Sequence, residues 1–227
     1  MSAVFSDEEI LAVKTRYPEL ERTGPGTVEG LLNMNAVYNG QPLTDSFQIR
    51  ITATNPHSDR VPGLYEIGGR TKSIADKYGF SDLRTLHQNM DGTACVCVKQ
   101  IERQKFPSGS DLFVFIEELV VPYLYGLIYY EHHQRWSWGD YSHGSMGLLE
   151  FYADDTTPQT AESIADILPS IRKDPNWKEY HKQLRKPSAE RFCLCGSRKA
   201  FRKCHKKAWQ GLVQLRNEML RLGIKFL

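Results

Sequence analysis

The sequence predicts a mixed α/β fold of the α+β kind: an N-terminal helix, an antiparallel β-meander and C-terminal helices, followed by a small cysteine-bearing module. Three observations carry this expectation. Two β-leaning runs, 28–38 and 46–54, flank Asn39-Gly40, a pair suited to positive φ in a tight hairpin turn. Apolar residues at helical spacing open the chain (Ile10, Val13, Tyr17), and others fill residues 112–130. All five cysteines fall in two clusters, Cys95 with Cys97 and Cys193 with Cys195 and Cys204, and His205 follows the last of them.

Taken in order, Ser6 and Glu9 form a capping-box pattern that starts a helix over 7–19. Pro18 and the Gly24-Pro25-Gly26 turn end it. After the hairpin, residues 64–67 read as a third strand, Gly68-Gly69 breaks the run, and a short helix spans 73–78. The Asp91-Gly92 turn leads into 94–98, short and apolar enough to be buried extended chain. A long helix over 111–133 precedes the aromatic run Trp136, Trp138 and Tyr141. Thr157, Pro158 and Glu162 open another helix with Ile164, Ile167 and Leu168 on one face, and a last helix covers 208–222. The expected division is a main domain over 1–155, a helical linker over 156–186 and a terminal module over 187–227.

The bulk composition, 41% hydrophobic and 25% charged in 227 residues, is that of a globular protein and not of a disordered or fibrous chain. The net charge of +2 conceals a strong division. Residues 171–207 hold thirteen Lys or Arg against three Asp or Glu, so this segment stands at +10 and the remainder at −8. Met1–Phe5 runs at once into Asp7, Glu8 and Glu9, so no secretory leader is expected and the expected location is cytoplasmic. The apolar stretch 112–130 contains Glu117, Glu118 and Pro122. A central acid costs about 2.5–3.5 kcal/mol in a membrane, so the stretch reads as a buried helix. Reducing conditions disfavour a disulfide framework, which leaves thiol chemistry and metal binding as the uses for five cysteines.

His87 and Asn89 precede Cys95 across the Asp91-Gly92 turn, which can fold the two arms together. An exposed thiol near an amide donor suits acyl transfer: the amide can hydrogen-bond the oxyanion formed when an amine attacks a thioester. A histidine there can fix the loop or move a proton. On composition alone a Cys-x-Cys pair in apolar chain is more often packing than a nucleophile. The whole run, His87-Gln88-Asn89 followed by Asp91-Gly92-Thr93-Ala94-Cys95, resembles the active-site signature of ubiquitin-conjugating enzymes, a His-Pro-Asn element ahead of an acidic-Gly turn and the acceptor cysteine. The resemblance covers roughly residues 6–155. It implies the fold of those enzymes, with Cys95 rather than Cys97 as thioester acceptor, Asn89 as the oxyanion donor, His87 as its companion, and no cofactor for the transfer. Gln88 stands where proline is usual, and only Met90 separates Asn89 from Asp91. Tyr65-Glu66-Ile67-Gly68-Gly69-Arg70, Trp138-Gly139-Asp140 and His143-Gly144 are similar to the bacterial branch found in antiphage defence operons. That branch implies an activating enzyme, a ubiquitin-like modifier or a cyclic-nucleotide synthase as acyl donor, and a deconjugating metalloprotease as partners. His132, His133 and His143 are expected to cap or pack, with His143 the best placed to support the site.

Cys193-Leu194-Cys195-Gly196-Ser197 and Cys204-His205 supply four soft ligands, and the Gly-Ser turn lets the first two sulfurs face one ion. The spacing suits a closed tetrahedral zinc site. It resembles the SEC-C motif over residues 191–209, with Leu194 in place of the usual proline. In so small a segment the metal would supply most of the folding free energy. The expected role is docking of a protein partner. Contact with phosphate through Arg198, Lys199, Arg202 and Lys203 is the second choice. A non-catalytic zinc-containing adaptor that binds protein or nucleic acid is the alternative to the transferase.

Overall fold

The computed structural model describes residues 4–38, 40–98, 102–137, 141–142, 144–155 and 158–225. It is an α+β protein that separates into two compact units, 1–139 and 140–227. Asn39, Trp138, Gly139, Asp140, His143 and Thr157, each used in the sequence reading, lie outside the described residues.

In the first unit, helix α1 (Asp7–Arg16) begins at the expected capping box: the Ser6 hydroxyl accepts from the Glu9 amide at 3.2 Å, and Glu9 Oε2 accepts from the Ser6 amide at 2.7 Å. Four antiparallel strands follow in sequential order, β1 (Leu20–Gly24), β2 (Thr27–Tyr38), β3 (Gln41–Thr52) and β4 (Gly63–Glu66). Tyr38 pairs with Gln41, so the β2–β3 hairpin closes in two residues, as the Asn-Gly pair predicts. The cross-strand sets Val28 with Ile51 and Leu32 with Phe47 put apolar side chains on one face, and Leu64 extends that face onto β4. Strand β1 was not legible as a strand. Its Leu-Glu-Arg-Thr-Gly sequence buries only Leu20, so it carries no alternating signal and acts as a polar edge.

Helix α2 (Arg70–Tyr78) follows, then a 3-10 turn at Leu83–Leu86 and the short α3 (Glu102–Lys105). The apolar stretch forms α4 (Leu112–Phe115), one wide π turn at Ile116–Val120, and α5 (Val121–His133). Among the described residues this is the one helical run long and apolar enough to cross a membrane, and most of it is buried inside the fold. Phe115, Ile116, Leu124 and Leu127 share one hydrophobic core with Leu32, Phe47, Ile49 and Leu64 of the sheet. Pro122 explains the wide turn. A proline has no amide for the regular i→i−4 bond and its ring collides with that carbonyl, a conflict that a π turn relieves.

The second unit is helical: α6 (Gly144–Asp154), α7 (Ala161–Lys173), α8 (Trp177–Arg185), α9 (Phe201–Cys204) and α10 (Lys206–Arg221). Residues 156–186, expected as a linker, contribute Ile164, Ile167, Ile171, Tyr180 and Leu184 to a core shared with Leu149 and Tyr152 of α6 and Leu212 and Leu215 of α10. The expected boundary near 155 would cut through this core. The high basic content of 171–207 hid it, because the cations occupy the outer faces of helices whose inner faces are apolar.

Gly211 marks where α10 meets α6. A β-carbon there would sit 1.8 Å from the Leu149 carbonyl oxygen. The two backbones therefore touch at a point where no other residue fits. Gly211→Ala is expected to lower the thermal unfolding midpoint, at a cost of at least the 1–3 kcal/mol typical of overpacking. Calorimetry against the parent protein checks this, and an unchanged midpoint would mean that the helices do not cross at Gly211.

Candidate thiol and metal sites

Residues 87–95 form a small hairpin. His87, left-handed at φ 52°, ends the 3-10 turn, and Gln88 and Asn89 make the outgoing arm. The Asn89 amide donates to the Thr93 carbonyl at 2.8 Å and the Asn89 carbonyl accepts from the Gly92 amide at 3.0 Å. Such a three-residue turn needs a left-handed residue before the return arm, and Gly92 supplies it at φ 85°. On the return arm the Cys95 amide donates to the His87 carbonyl at 2.7 Å, and the Ala94 amide donates to the Leu64 carbonyl at 2.7 Å. The hairpin thus bonds along its own length and is also tied to β4, where Tyr65 bridges Thr93.

The sequence-predicted residues meet here in distinct ways. Cys95 is half-buried at the foot of the hairpin, its Sγ 3.9 Å from the Cys97 carbonyl oxygen. Cys97 packs against the main core, and burial, reinforced by the nearby Glu102 carboxylate, pushes its thiol far above the usual cysteine value. His87 sets its ring edge-on against Trp136 at 4.6 Å between centroids. The Asn89 side chain donates to the Thr93 hydroxyl at 2.9 Å, which commits one of its two amide hydrogens to the turn. His132 and His133 lie in the last turn of α5, and His133 stacks on Tyr129 at 4.3 Å.

Two residues that brace the site, His57 and Trp136, were not assigned to it from sequence. Asp91 accepts from both the Thr93 hydroxyl (2.6 Å) and the Thr93 amide (3.1 Å), and His57, from the loop between β3 and β4, reaches Asp91 Oδ2 at 2.9 Å. The Thr93 hydroxyl contributes most to holding the Asp91 carboxyl below its usual range, and His57 lowers it further. Trp136 is buried against Tyr123 and Tyr130 as well as His87. Nothing local in the sequence ties His57 to Asp91, which lies 34 residues away.

The metal-ligand cluster in the second unit rests on a tight knuckle. The Cys193 amide donates to the Lys199 carbonyl (2.7 Å), the Gly196 amide to the Cys193 carbonyl (3.2 Å), and the Phe201 amide to the Arg191 carbonyl (2.8 Å). Cys204 ends α9 and His205 caps α10, so helix geometry presents both to the knuckle. Cys193 Sγ lies 3.2 Å from His205 Nδ1 and Cys195 Sγ 3.5 Å from Cys204 Sγ. All four ligand atoms fall within 4.8 Å of one another. Tetrahedral ligands at metal–sulfur distances near 2.3 Å are about 3.5–3.8 Å apart, so the cluster is sized for one ion. Burial pushes the Cys193 thiol up to about 12. Burial also raises Cys195, but hydrogen bonds from Ser197 and the neighbouring thiols outweigh it and bring that thiol down to about 6.

Comparison of the chain with protein-family models, curated proteins and solved structures finds no match. The chemistry must therefore be argued from the two sites themselves.

Two measurements test this geometry. In metal-loaded protein, iodoacetamide at pH 8 is expected to label Cys95 well before Cys97, because the raised Cys97 pKa keeps that thiol protonated there; peptide mapping by mass spectrometry reads the order. Removing the metal with a strong chelator is expected to lower the unfolding midpoint of the parent, and re-adding it to restore the midpoint. In Cys204→Ser the restoration should fail.

Proposed function

We propose that this chain is a thioester-forming acyltransferase of the ubiquitin-conjugating type, with Cys95 as the acceptor. The observation that carries the proposal is the setting of two neighbouring, equally half-buried thiols: Cys95 hangs at the foot of a bonded hairpin, whereas Cys97 packs against the main core, where burial and the Glu102 carboxylate push its thiol up. The acyl group arrives as a thioester on an activating enzyme. The Cys95 thiolate attacks its carbonyl carbon, a carbon–sulfur bond to Cys95 forms, and the activating enzyme's thiolate leaves. A lysine amine then attacks the new thioester. The Cys95 thiolate departs as the amide bond forms, and the amine proton passes to solvent. Asn89 has a second amide hydrogen beyond the one given to Thr93, and in this proposal it stabilises the oxyanion. His87, seated on Trp136, holds the arm from which Cys95 is hung.

The acyl donor in this reading is a C-terminal glycyl group, from a ubiquitin-like protein or a cyclic-nucleotide synthase, and a metalloprotease reverses the conjugation. The setting is a bacterial antiviral conjugation system in the cytoplasm. The cluster Cys193, Cys195, Cys204 and His205 holds a structural zinc ion, for which three thiols and one imidazole in a closed set are the preferred ligands.

Mass spectrometry of the chain co-expressed with its genomic neighbours tests the proposal. A reducible adduct is expected on Cys95, retained in Cys97→Ser and replaced by a thiol-resistant ester, or lost, in Cys95→Ser. A reducible adduct that survives in Cys95→Ser would sink the assignment. Asn89→Ala is expected to slow discharge to lysine about a hundred- to a thousandfold, the usual cost of one oxyanion donor. Thr93→Val, which removes the hydroxyl that Asn89 and Asp91 share but leaves the Asn89 amide in place, should slow it far less. Equal losses in the two variants would reduce Asn89 to a turn residue and favour the non-catalytic adaptor.

A further inference from the structure

A cleft in the second unit opens between α7, α8 and the end of α10, and neither the thiol chemistry nor the metal cluster uses it. It holds about 320 Å³ of empty space, near the lower end of the roughly 300–1,000 Å³ typical of small-molecule sites. Ile171, Leu184 and Met219, all buried, form its floor. Leu168, Trp177 and His181 are half-buried and form its walls, with the Trp177 and His181 rings 5.6 Å apart between centroids. Arg172 and Lys225 stand exposed at its mouth. Polarity therefore changes in one direction, from an apolar depth to a cationic rim.

Local structure sets both cations in place. Arg172 lies in the last turn of α7, next to Ile171 of the floor. Lys225 reaches the cleft because the chain folds back at the end of α10: the Ile224 amide donates to the Met219 carbonyl at 2.8 Å, across Gly223 in the left-handed region at φ 68°. Among the described residues no acid lines the cleft, and neither cation makes an ion pair. The single acids of α8 and α10, Glu179 and Glu218, pair instead with Lys182 and Arg221. Those of α7, Glu162 and Asp166, lie in its first two turns, and Asp174 at its C-terminal end accepts from the Asn176 amide at 2.8 Å. The positive charge at the mouth is thus left without a counter-charge.

We propose that this cleft binds a small amphipathic acid: its apolar body lies on Ile171, Leu184 and Met219 beside Trp177, and its single carboxylate is held by Arg172 and Lys225. A neutral ligand of the same shape would gain nothing from the rim, and an amine would be repelled by it. An extended peptide needs free main-chain partners to hold it. The cleft offers few, since most of its lining stands on helices whose backbone groups bond within themselves. A free acid therefore fits better than a peptide terminus. The proposal goes beyond the transfer reading and stands without it, because no residue of the thiol site takes part.

Isothermal titration calorimetry of the full metal-loaded chain with octanoate tests this. One saturable site is expected, with affinity rising about fourfold for each methylene added from hexanoate to octanoate, the usual gain for a buried CH₂. Octanol should bind more weakly and octylammonium not detectably. Arg172→Gln with Lys225→Gln is expected to weaken octanoate roughly 2- to 30-fold, the range for two exposed ion pairs, and to leave octanol unchanged. Leu168→Trp should fill the cleft and abolish binding, with its unfolding midpoint as the folding control. Absence of a saturable site would overturn the proposal. So would octanol binding as tightly as octanoate, an unaffected Arg172 and Lys225 double variant, or a folded Leu168→Trp protein that still binds. Tighter binding of an acetylated tripeptide ending in leucine would overturn it in favour of a peptide terminus. Binding that appears only once residues 226–227 are deleted would also overturn it, and would assign the cleft to the chain's own segment.

Discussion

The hydrogen bond from the Ala94 amide to the Leu64 carbonyl is the contact on which the thiol's setting depends. Its net energy is modest, about 0.5–1.5 kcal/mol as for any backbone bond in a protein. Its importance is positional. It ties the hairpin bearing Cys95 to β4, whose side chains belong to the main core, so the Cys95 thiol takes its coordinates from the sheet. Asp91, Thr93 and His57 then brace the far end of the same hairpin, and Trp136 seats His87 at the near end. A reactive group mounted on irregular chain is normally free to wander. Here both ends of that chain are fixed to regular structure.

The metal cluster reaches rigidity by another route. Its ligands come from a knuckle and two short helical ends that bury little on their own, apart from Phe201 and Cys193. What brings them together is the core beneath, where α10 lies against α6 at Gly211. The four sulfur and imidazole atoms fall within 4.8 Å of one another on backbone that helix packing has largely set. The sequence reading gave the metal most of the folding energy of an isolated module. The shared helical core transfers part of that burden to apolar burial.

How much of this could be read in advance follows from where the information sits. The capping box at Ser6, the Asn-Gly hairpin and the long apolar helix were legible because each rests on residues a few positions apart. The clustering of Cys193, Cys195, Cys204 and His205 was legible for the same reason: two close pairs at a fixed separation. Strand β1 was missed because an edge strand with one buried residue has no period to detect. Helix α8 was missed because polar and basic residues dominate its composition, and its apolar face makes sense only against the core it shares with α7 and α10. In the thiol site, residue types were legible but directions were not. The chain shows that Asn89 is near Cys95, yet only the fold shows its amide turned to Thr93. His57 and Trp136 were beyond reach, since the site residues they meet, Asp91 and His87, lie more than thirty residues away.

The widened turn ahead of Pro122 has an effect at a distance. A helix is a rotary shaft: each added residue turns everything after it by about 100°. The surplus residue absorbed between Ile116 and Val120 therefore sets the bearing of Tyr123 and Tyr130, and these two rings cradle Trp136. Trp136 in turn is the surface against which His87 rests. A single residue gained or lost in that turn would swing the cradle away from the hairpin while leaving every residue around Cys95 unchanged, so the angular timing of a buried shaft governs the posture of a half-buried thiol.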